Sequence, residues 1–284
     1  MKPILEVKNL NYIYSVGTPF EHKALDNISF SVEPGEFIGI IGHTGSGKST
    51  LMQQLNGLLK PTSGQVLLDG VDIWSDKKLT RQARFRVGLV FQYPEYQLFE
   101  ETVYRDIAFG PKNMGLSEQE IDRRVREAAG FVGLTPEQLD VSPFDLSGGQ
   151  KRRVAIAGVI AMEPACIVLD EATAMLDPIG RQEVLSTVHR LNREKGITVV
   201  LITHHMNEAE EADRVIVMDD GVVAMDGSPR QVFTQVDALR SMGLTVPDTV
   251  DLLDRLRKDG MDVPLDALTV DECAGAIAAA LRAN

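Results

Sequence analysis

A continuous apolar stretch, Glu36 to Ile41, runs straight into Gly42-His43-Thr44-Gly45-Ser46-Gly47-Lys48-Ser49. A helical pattern from Thr50 to Leu59 follows, ended by Lys60-Pro61. This strand–loop–helix order fits G-x-x-x-x-G-K-[ST], the phosphate-binding loop. The loop needs a buried strand behind it and a helix whose N-terminus attracts anions in front of it, so the pattern demands an α/β core. Gly42, Gly45 and Gly47 let the backbone turn tightly and aim N–H groups at phosphate oxygens. Lys48 is expected to bridge the β- and γ-phosphates of a nucleoside triphosphate. Ser49 is expected to ligate Mg²⁺ through its hydroxyl, with Ser46 and Thr50 as further nucleotide contacts. His43 and Thr44 fall at permissive positions and are assigned no chemistry.

The remaining patterns supply the sheet. Residues 4–8 and 28–32 read as strands by alternation, as do Gly64 to Leu68 and Val87 to Phe91. Ile167–Leu169 and Thr198–Ile202 are short β-branched runs typical of buried parallel strands, joined by a helical pattern from Pro178 to Glu194. Val215 to Met218 and Val222 to Met225 flank Asp219-Asp220-Gly221, a hairpin signal. From about Tyr93 to Glu163 the pattern is helical. Ser117-Glu118-Gln119-Glu120 reads as a capping box, and Ile121, Val125 and Ala128 share a face with Arg123, Arg124 and Glu127 outside. After Gly227, Ser228-Pro229 opens a helix by cap and first-turn proline. Further helices are expected at Asp248–Lys258 and Val270–Arg282, the last with Cys273, Ile277 and Leu281 at four-residue spacing. The fold class is therefore α/β: a phosphate-loop core with a helical subdomain inserted at about 93–163 and an N-terminal antiparallel β part. The expected domains are 1–227 and a small helical extension, 228–284.

Bulk properties narrow the classes. The chain has 284 residues, 44% of them hydrophobic, enough for a substantial core. The start, Met-Lys-Pro and then alternating residues, has no apolar h-region, so secretion is not expected. No run reaches the roughly 18 apolar residues of a membrane span. A formal charge of −12 repels nucleic acid at long range despite the local Lys151-Arg152-Arg153 cluster, so no nucleic-acid partner is expected. Cys166 reads as a small hydrophobe in a buried strand and Cys273 as part of an apolar helix face, with no disulfide or metal site implied. His22 and His189 read as surface residues.

A second motif narrows the chemistry. Leu146-Ser147-Gly148-Gly149-Gln150 precedes Ile167-Val168-Leu169-Asp170-Glu171. A carboxylate at Asp170, ending an apolar strand, can hold the Mg²⁺ shell. Glu171 can orient and deprotonate an attacking water. Together with the phosphate loop, over roughly residues 4–227, these motifs resemble the ATPase subunits of ABC transporters. The resemblance implies ATP as ligand. It makes Ser147, Gly148, Gly149 and Gln150, at the start of a helix from Lys151 to Met162, the surface that caps ATP held by an opposing subunit, hence a dimer with two composite sites. It makes Gln92 the Q-loop glutamine, contacting Mg²⁺ or water and sensing a membrane partner. It makes His204 the switch histidine at the γ-phosphate, Asp177 the D-loop aspartate at the dimer seam, and Tyr14 the aromatic that stacks on adenine, with Tyr12 as rival. Ala172 and Ala174 depart from the family wording Asp-Glu-Pro-Thr and Ser-x-Leu-Asp, which bears on loop stiffness and cross-talk between sites.

A narrower resemblance rests on Phe91-Gln92-Tyr93-Pro94-Glu95-Tyr96-Gln97-Leu98-Phe99, Thr102-Val103 and Ile107-Ala108-Phe109-Gly110-Pro111. This stretch is similar to the cobalt and energy-coupling factor (ECF) ATPases, and the 228–284 extension fits that group, where such a tail packs at the dimer seam. Gly17-Thr18-Pro19-Phe20 and Gly42-His43-Thr44-Gly45 resemble the second of its two paralogous ATPases. The resemblance implies ATP-driven uptake of vitamins or transition-metal cations. Its partners would be a second ATPase subunit (a paralogue rather than an identical chain), a transmembrane coupling subunit and a substrate-binding membrane subunit, with the chain peripheral on the cytoplasmic face of the membrane. Tyr93, Tyr96, Leu98 and Phe99 are expected to line a groove for a coupling helix, with Glu95, Glu100 and Glu101 meeting basic residues there. The rival class, soluble ABC proteins of translation or DNA repair, usually has two cassettes or a long coiled coil, and neither is present. A module that holds ATP without turnover is disfavoured by the presence of both Glu171 and His204.

Overall fold

The computed structural model describes residues 2–283. In chain order the elements are β1 (Leu5–Tyr14), β2 (His22–Val32), β3 (Phe37–Ile41), α1 (Lys48–Leu55), β4 (Ser63–Leu68), β5 (Val71–Asp72), α2 (Lys77–Arg86), β6 (Val87–Val90), α3 (Val103–Asn113), α4 (Glu118–Phe131) and α5 (Gly148–Ile160). They continue with β7 (Cys166–Asp170), α6 (Pro178–Lys195), β8 (Thr198–Ile202), α7 (Met206–Ala209), β9 (Arg214–Asp219), β10 (Val222–Gly227), α8 (Pro229–Phe233), α9 (Val236–Ser241), α10 (Asp248–Lys258) and α11 (Val270–Ala283). Two sheets carry the architecture. One is four-stranded in the order β2-β1-β4-β5, the other six-stranded in the order β10-β9-β3-β8-β7-β6. The first is antiparallel. The second is parallel except for its terminal hairpin.

The apolar runs of β3, β7 and β8 have no polar alternation because both faces of that sheet are covered. Ile167, Leu169, Val199 and Leu201 face a core shared with α3, α4, α5 and α6. Cys166, Val168, Val200 and Ile202 point the other way, into a core shared with α1 and the antiparallel sheet. The helical insertion therefore packs on one face of the central sheet and the N-terminal sheet on the other. Because β3, β7 and β8 are parallel neighbours, their C-terminal ends lie along one edge, where an open α/β sheet binds its ligands. Gly42, Glu171 and Thr203 all follow these ends.

Several expectations need correction. Both N-terminal strands run past the stretches that alternate, because register shifts after Val7, Leu10 and Tyr12 break the period of two. Helix α1 stops at Leu55, short of Lys60-Pro61, because Gly57 takes a left-handed φ of 73° and ends it. Ser117 caps α4 by accepting from the Glu120 N–H, but Glu120 does not reach back. Its carboxylate is taken by Arg123 and Arg124 instead. Arg124 is half-buried, not outside. His189 is also half-buried, with its ring stacked on Phe37 at 4.7 Å and its Nε2 2.8 Å from Glu211. In α11, Cys273 is buried against α10, but the stripe opens to solvent at Leu281.

The hairpin at Asp220-Gly221 forms as read, with both residues at positive φ. After it, α8, α9 and α10 pack on β9 through Val232, Phe233, Leu239 and Val250 against Val215 and Val217. Helix α11 adds a smaller cluster with α10.

Candidate functional site

The phosphate loop is held from behind by backbone contacts that leave no room for side chains. A Cβ on Gly42 would collide with the Met218 carbonyl, and one on Gly47, at φ 98°, would lie 2.5 Å from the Ala24 carbonyl oxygen. The loop thus packs directly against β9 and β2. Lys48 is 5% exposed. Its Nζ donates to the carbonyls of Gly42 at 2.7 Å and His43 at 2.8 Å, closing the loop on itself. Burial pulls the Lys48 ammonium below its ordinary pKa, opposed by the negative charges of Glu171 and Asp170. An anion delivered to this loop would meet a desolvated cation and the N-terminus of α1 together. His43 has a structural part that its position did not reveal. Its Nε2 lies 3.2 Å from Asp219 and 3.5 Å from Asp220, pinning the loop to the β9–β10 hairpin.

Asp170, at the end of β7, accepts from the Ser49 hydroxyl at 3.1 Å through Oδ2. Its Oδ1 is buried with no hydrogen-bond partner. Burial raises the Asp170 carboxyl above its ordinary pKa, resisted by the Ser49 hydrogen bond. A buried carboxylate oxygen without a partner beside a serine hydroxyl is an incomplete oxygen donor set, and the residues fit a hard divalent cation such as Mg²⁺.

Glu171 follows directly. It holds φ 48°, a left-handed conformation uncommon outside glycine, asparagine and aspartate. Its N–H bonds the Ile202 carbonyl at 2.9 Å, which ties it to the end of β8. This backbone turn swings the side chain between two partners. Oε2 accepts from Gln92 Nε2 at 2.9 Å, and Oε1 lies 2.6 Å from His204 Nε2. Residues from three strand ends, far apart in sequence, thus meet at one carboxylate. Tyr14 lies on the other flank of the loop, its hydroxyl 3.1 Å from Thr50 Oγ1 and its ring 39% exposed. Tyr12 packs edge-on against Tyr14, with its own ring turned toward the core between the sheets.

Ser147, Gly148, Gly149 and Gln150 do not join this cluster. Ser147 caps α5 in a reciprocal box with Gln150, which accepts the Ser147 N–H at 2.9 Å. Both glycines are exposed, and a Cβ on either would meet nothing within 4 Å. Asp177 caps α6, accepting from the Gly180 N–H at 2.7 Å. It too stands apart from the phosphate loop in hydrogen bonding.

Two residues escaped the sequence reading. Arg152, seen there only as part of a basic cluster, is 2% exposed. It donates to Glu95 at 3.2 and 3.3 Å and to the carbonyls of Ala172 and Ala174 at 3.1 and 3.0 Å. Glu95 is therefore committed inside the chain and not offered to a partner. Glu208 is 3% exposed and is taken up below. Leu98, expected in the groove, is 9% exposed. The exposed aromatics there are Tyr93, Tyr96, Phe99 and Phe109, with Phe99 and Phe109 edge to face at 4.9 Å. Phe99 and Phe109 border a concavity between α2, α3 and α5 whose floor includes Leu89, Leu98 and Val159, whereas Tyr93 and Tyr96, expected in the groove, do not line it and pack instead against each other at 5.7 Å.

Comparison with known proteins bears on what this arrangement does. The model of the ABC transporter family matches residues 25–174, more than half of the chain. The chain belongs to the ABC transporter family. Within it, this ABC ATPase is 55% identical over 269 residues to the energy-coupling factor transporter ATP-binding protein EcfA2 of Symbiobacterium thermophilum, covering 94% of this chain and 93% of that one. It is 52% identical to the EcfA1 protein of Caldanaerobacter subterraneus subsp. tengcongensis, over 95% and 96% of the two chains. The solved structure of cbiO1 from Clostridium perfringens, described as part of the ABC transporter complex cbiONQ, superposes with a TM-score of 0.74 at 42% identity. That match covers 86% of this chain and 95% of the other. The ATPase is thus an ATP-hydrolysing transporter subunit of the energy-coupling factor group, as its motifs implied. No helix among its described residues is long and apolar enough to cross a membrane.

Proposed function

We propose that this chain hydrolyses ATP on the cytoplasmic face of a membrane to drive an energy-coupling factor importer, and that it is the second of the two paralogous ATPases. In this reading the division of labour is 1–227 for the ATPase and 228–284 for a helical extension at the dimer seam. The observation that carries the reading is the convergence of Gln92, Glu171 and His204 just beyond the buried Lys48 and Asp170.

The chemistry follows from that geometry. Loop N–H groups, with Ser46 and Thr50 beside them, cradle the phosphates, and Lys48 exchanges its two carbonyl partners for phosphate oxygens. Tyr14, the more exposed of the tyrosine pair, offers its ring to adenine. Ser49, Asp170 and Gln92 would hold Mg²⁺, which supplies charge neutralisation on the triphosphate. Glu171 accepts a proton from the attacking water, and His204 orients that carboxylate and donates toward the γ-phosphate. Ser147, Gly148, Gly149 and Gln150 have no ligand in their own chain. Their open glycines allow close backbone approach by a neighbour, so they would close over ATP held by the second ATPase subunit, a paralogue rather than an identical chain. Asp177 lies at that seam.

The exposed pair Phe99 and Phe109 would receive the transmembrane coupling subunit, which in turn moves a substrate-binding membrane subunit that takes a vitamin or a transition-metal cation. The test is to recover the tagged chain from membranes and identify what accompanies it. A second ATPase and two integral membrane subunits are expected, with the membrane subunits lost in Phe99→Asp. A chain found only as a soluble species would end the reading.

A further inference from the structure

A four-residue helix, α7, places a carboxylate in the core. Glu208 is 3% exposed and spends each of its oxygens on a different loop. Oε1 accepts from the Thr173 hydroxyl at 2.7 Å, and Oε2 accepts from the Thr203 hydroxyl at 2.6 Å. Both threonines are 1% exposed. Arg181 Nε, in the first turns of α6, lies 3.7 Å from Oε1 and has no hydrogen-bond partner of its own. Thr203 Oγ1 also accepts from the His205 N–H at 2.9 Å, so the hydroxyl is fixed from both sides. Burying a carboxylate is costly unless hydrogen bonds replace its water, and here the replacements come from two particular segments. Thr173 lies just past Glu171, and Thr203 immediately precedes His204.

We propose that Glu208 is a positioning residue that sets the spacing between Glu171 and His204, an inference that rests on the roles given to those two side chains above. The two loops are joined at three levels. Glu171 meets His204 at the top, the Glu171 N–H meets the Ile202 carbonyl between the strand ends, and Glu208 straps Thr173 to Thr203 beneath. The top contact is between side chains that must also accommodate water and phosphate, so it cannot by itself hold the loops in register. A carboxylate of fixed bite can. The nearby Arg181 extends the strap to α6, whose cap is Asp177, so all three loops assigned to the γ-phosphate and the seam lean on one buried group. A catalytic group displaced by about 1 Å loses about 100-fold in rate.

The test uses the full-length chain in its assembled transporter, reading kcat and KM for ATP. Glu208→Ala is expected to lower kcat about 100-fold while KM changes little, because the phosphate loop is untouched. Glu208→Gln should recover most of the rate, since its amide oxygen accepts from one hydroxyl and its amide N–H donates to the other. In a His204→Ala background, Glu208→Ala should add almost nothing, as expected for residues that act through one another.

Wild-type kcat in Glu208→Ala overturns the proposal. So does an undiminished effect in the His204→Ala background, or a loss shared equally between kcat and KM. If Glu208→Ala does not fold, Thr203→Val removes one arm of the strap and Thr203→Ser keeps it. A kcat loss of about tenfold in the first, restored in the second, supports the inference, and normal kcat in Thr203→Val refutes it. Should His204→Ala itself turn over normally, the role given to His204 falls and the inference with it. If His204→Ala is slow and Glu208→Ala is not, only the strap is wrong.

Discussion

The phosphate loop and the Ser147–Gln150 segment are both glycine-rich turns that open a helix, yet they differ in what their glycines are for. In the loop, Gly42 and Gly47 are required by the chain itself, because β2 and β9 crowd the positions a Cβ would occupy. In the segment, Gly148 and Gly149 face empty space, and the helix start is already satisfied by Ser147 and Gln150. One turn is built for its own fold. The other carries residues that its own fold does not explain, as expected of a surface reserved for something that arrives from outside.

That contrast can be broken at four places. Glu171→Gln should lower turnover by about 1,000-fold while leaving nucleotide binding intact, and an ATP-locked dimer should accumulate on a sizing column. Normal phosphate release would remove Glu171 from its role. Lys48→Ala should weaken ATP binding by about 100-fold or more, the loss expected when a buried charge partner is removed, as titration calorimetry would read.

The paired glycine variants sharpen the contrast directly. Gly47→Ala should cost about 1–3 kcal/mol in denaturant unfolding, from strain at positive φ. Gly148→Ala should leave stability unchanged or raise it by up to about 1 kcal/mol, yet slow ATP hydrolysis by the assembled dimer. Equal stability losses would dissolve the distinction.

The smallest effect concerns pH. Burial raises the Asp170 carboxyl above its ordinary 3.8 in the folded chain. The folded state therefore holds that proton more tightly than the unfolded one. Stability of the nucleotide-free chain falls as pH rises from 3.8 through the raised value, and stays lower above it. Asp170→Asn should leave the melting temperature unchanged at pH below 3.8 and raise it at neutral pH. Ser147→Ala should show no such pH dependence, because neither side chain titrates. A pH-flat Asp170→Asn would show that the carboxyl is not desolvated.

The local pattern made the core of the site legible. Asp170 ends a buried strand, Glu171 follows it directly, and Lys48 and Ser49 open the helix after the glycine loop that leaves another, so local order fixes these side chains with little help from distant residues. The parallel strands were readable for the same reason, since a run buried on both faces has no other interpretation at that length. Most of what failed depended on long-range pairing. The bulged registers of β1 destroy the alternation that would have marked its length. Glu95 and Leu98 were misjudged because their partners, Arg152 and the core beneath α3, are a matter of packing and not of spacing, whereas Glu120 lost its capping role to a local competition, its carboxylate being taken by Arg123 and Arg124 three and four residues on. Glu208 had no signal at all, being one of several acids in Asn207-Glu208-Ala209-Glu210-Glu211. Only the threonines on two remote loops distinguish it.

Arg152 gives the molecule a short transmission line. One guanidinium grips Glu95 on one side and the carbonyls of Ala172 and Ala174 on the other, while its own helix begins at the exposed Gly148. Glu95, the neighbour of the exposed Tyr96, and the stretch just past Glu171 are therefore held by one side chain of α5. Lysine, a single point of charge with three donors on a flexible stem, could not reproduce the planar fork that meets both Glu95 oxygens and two carbonyls at once.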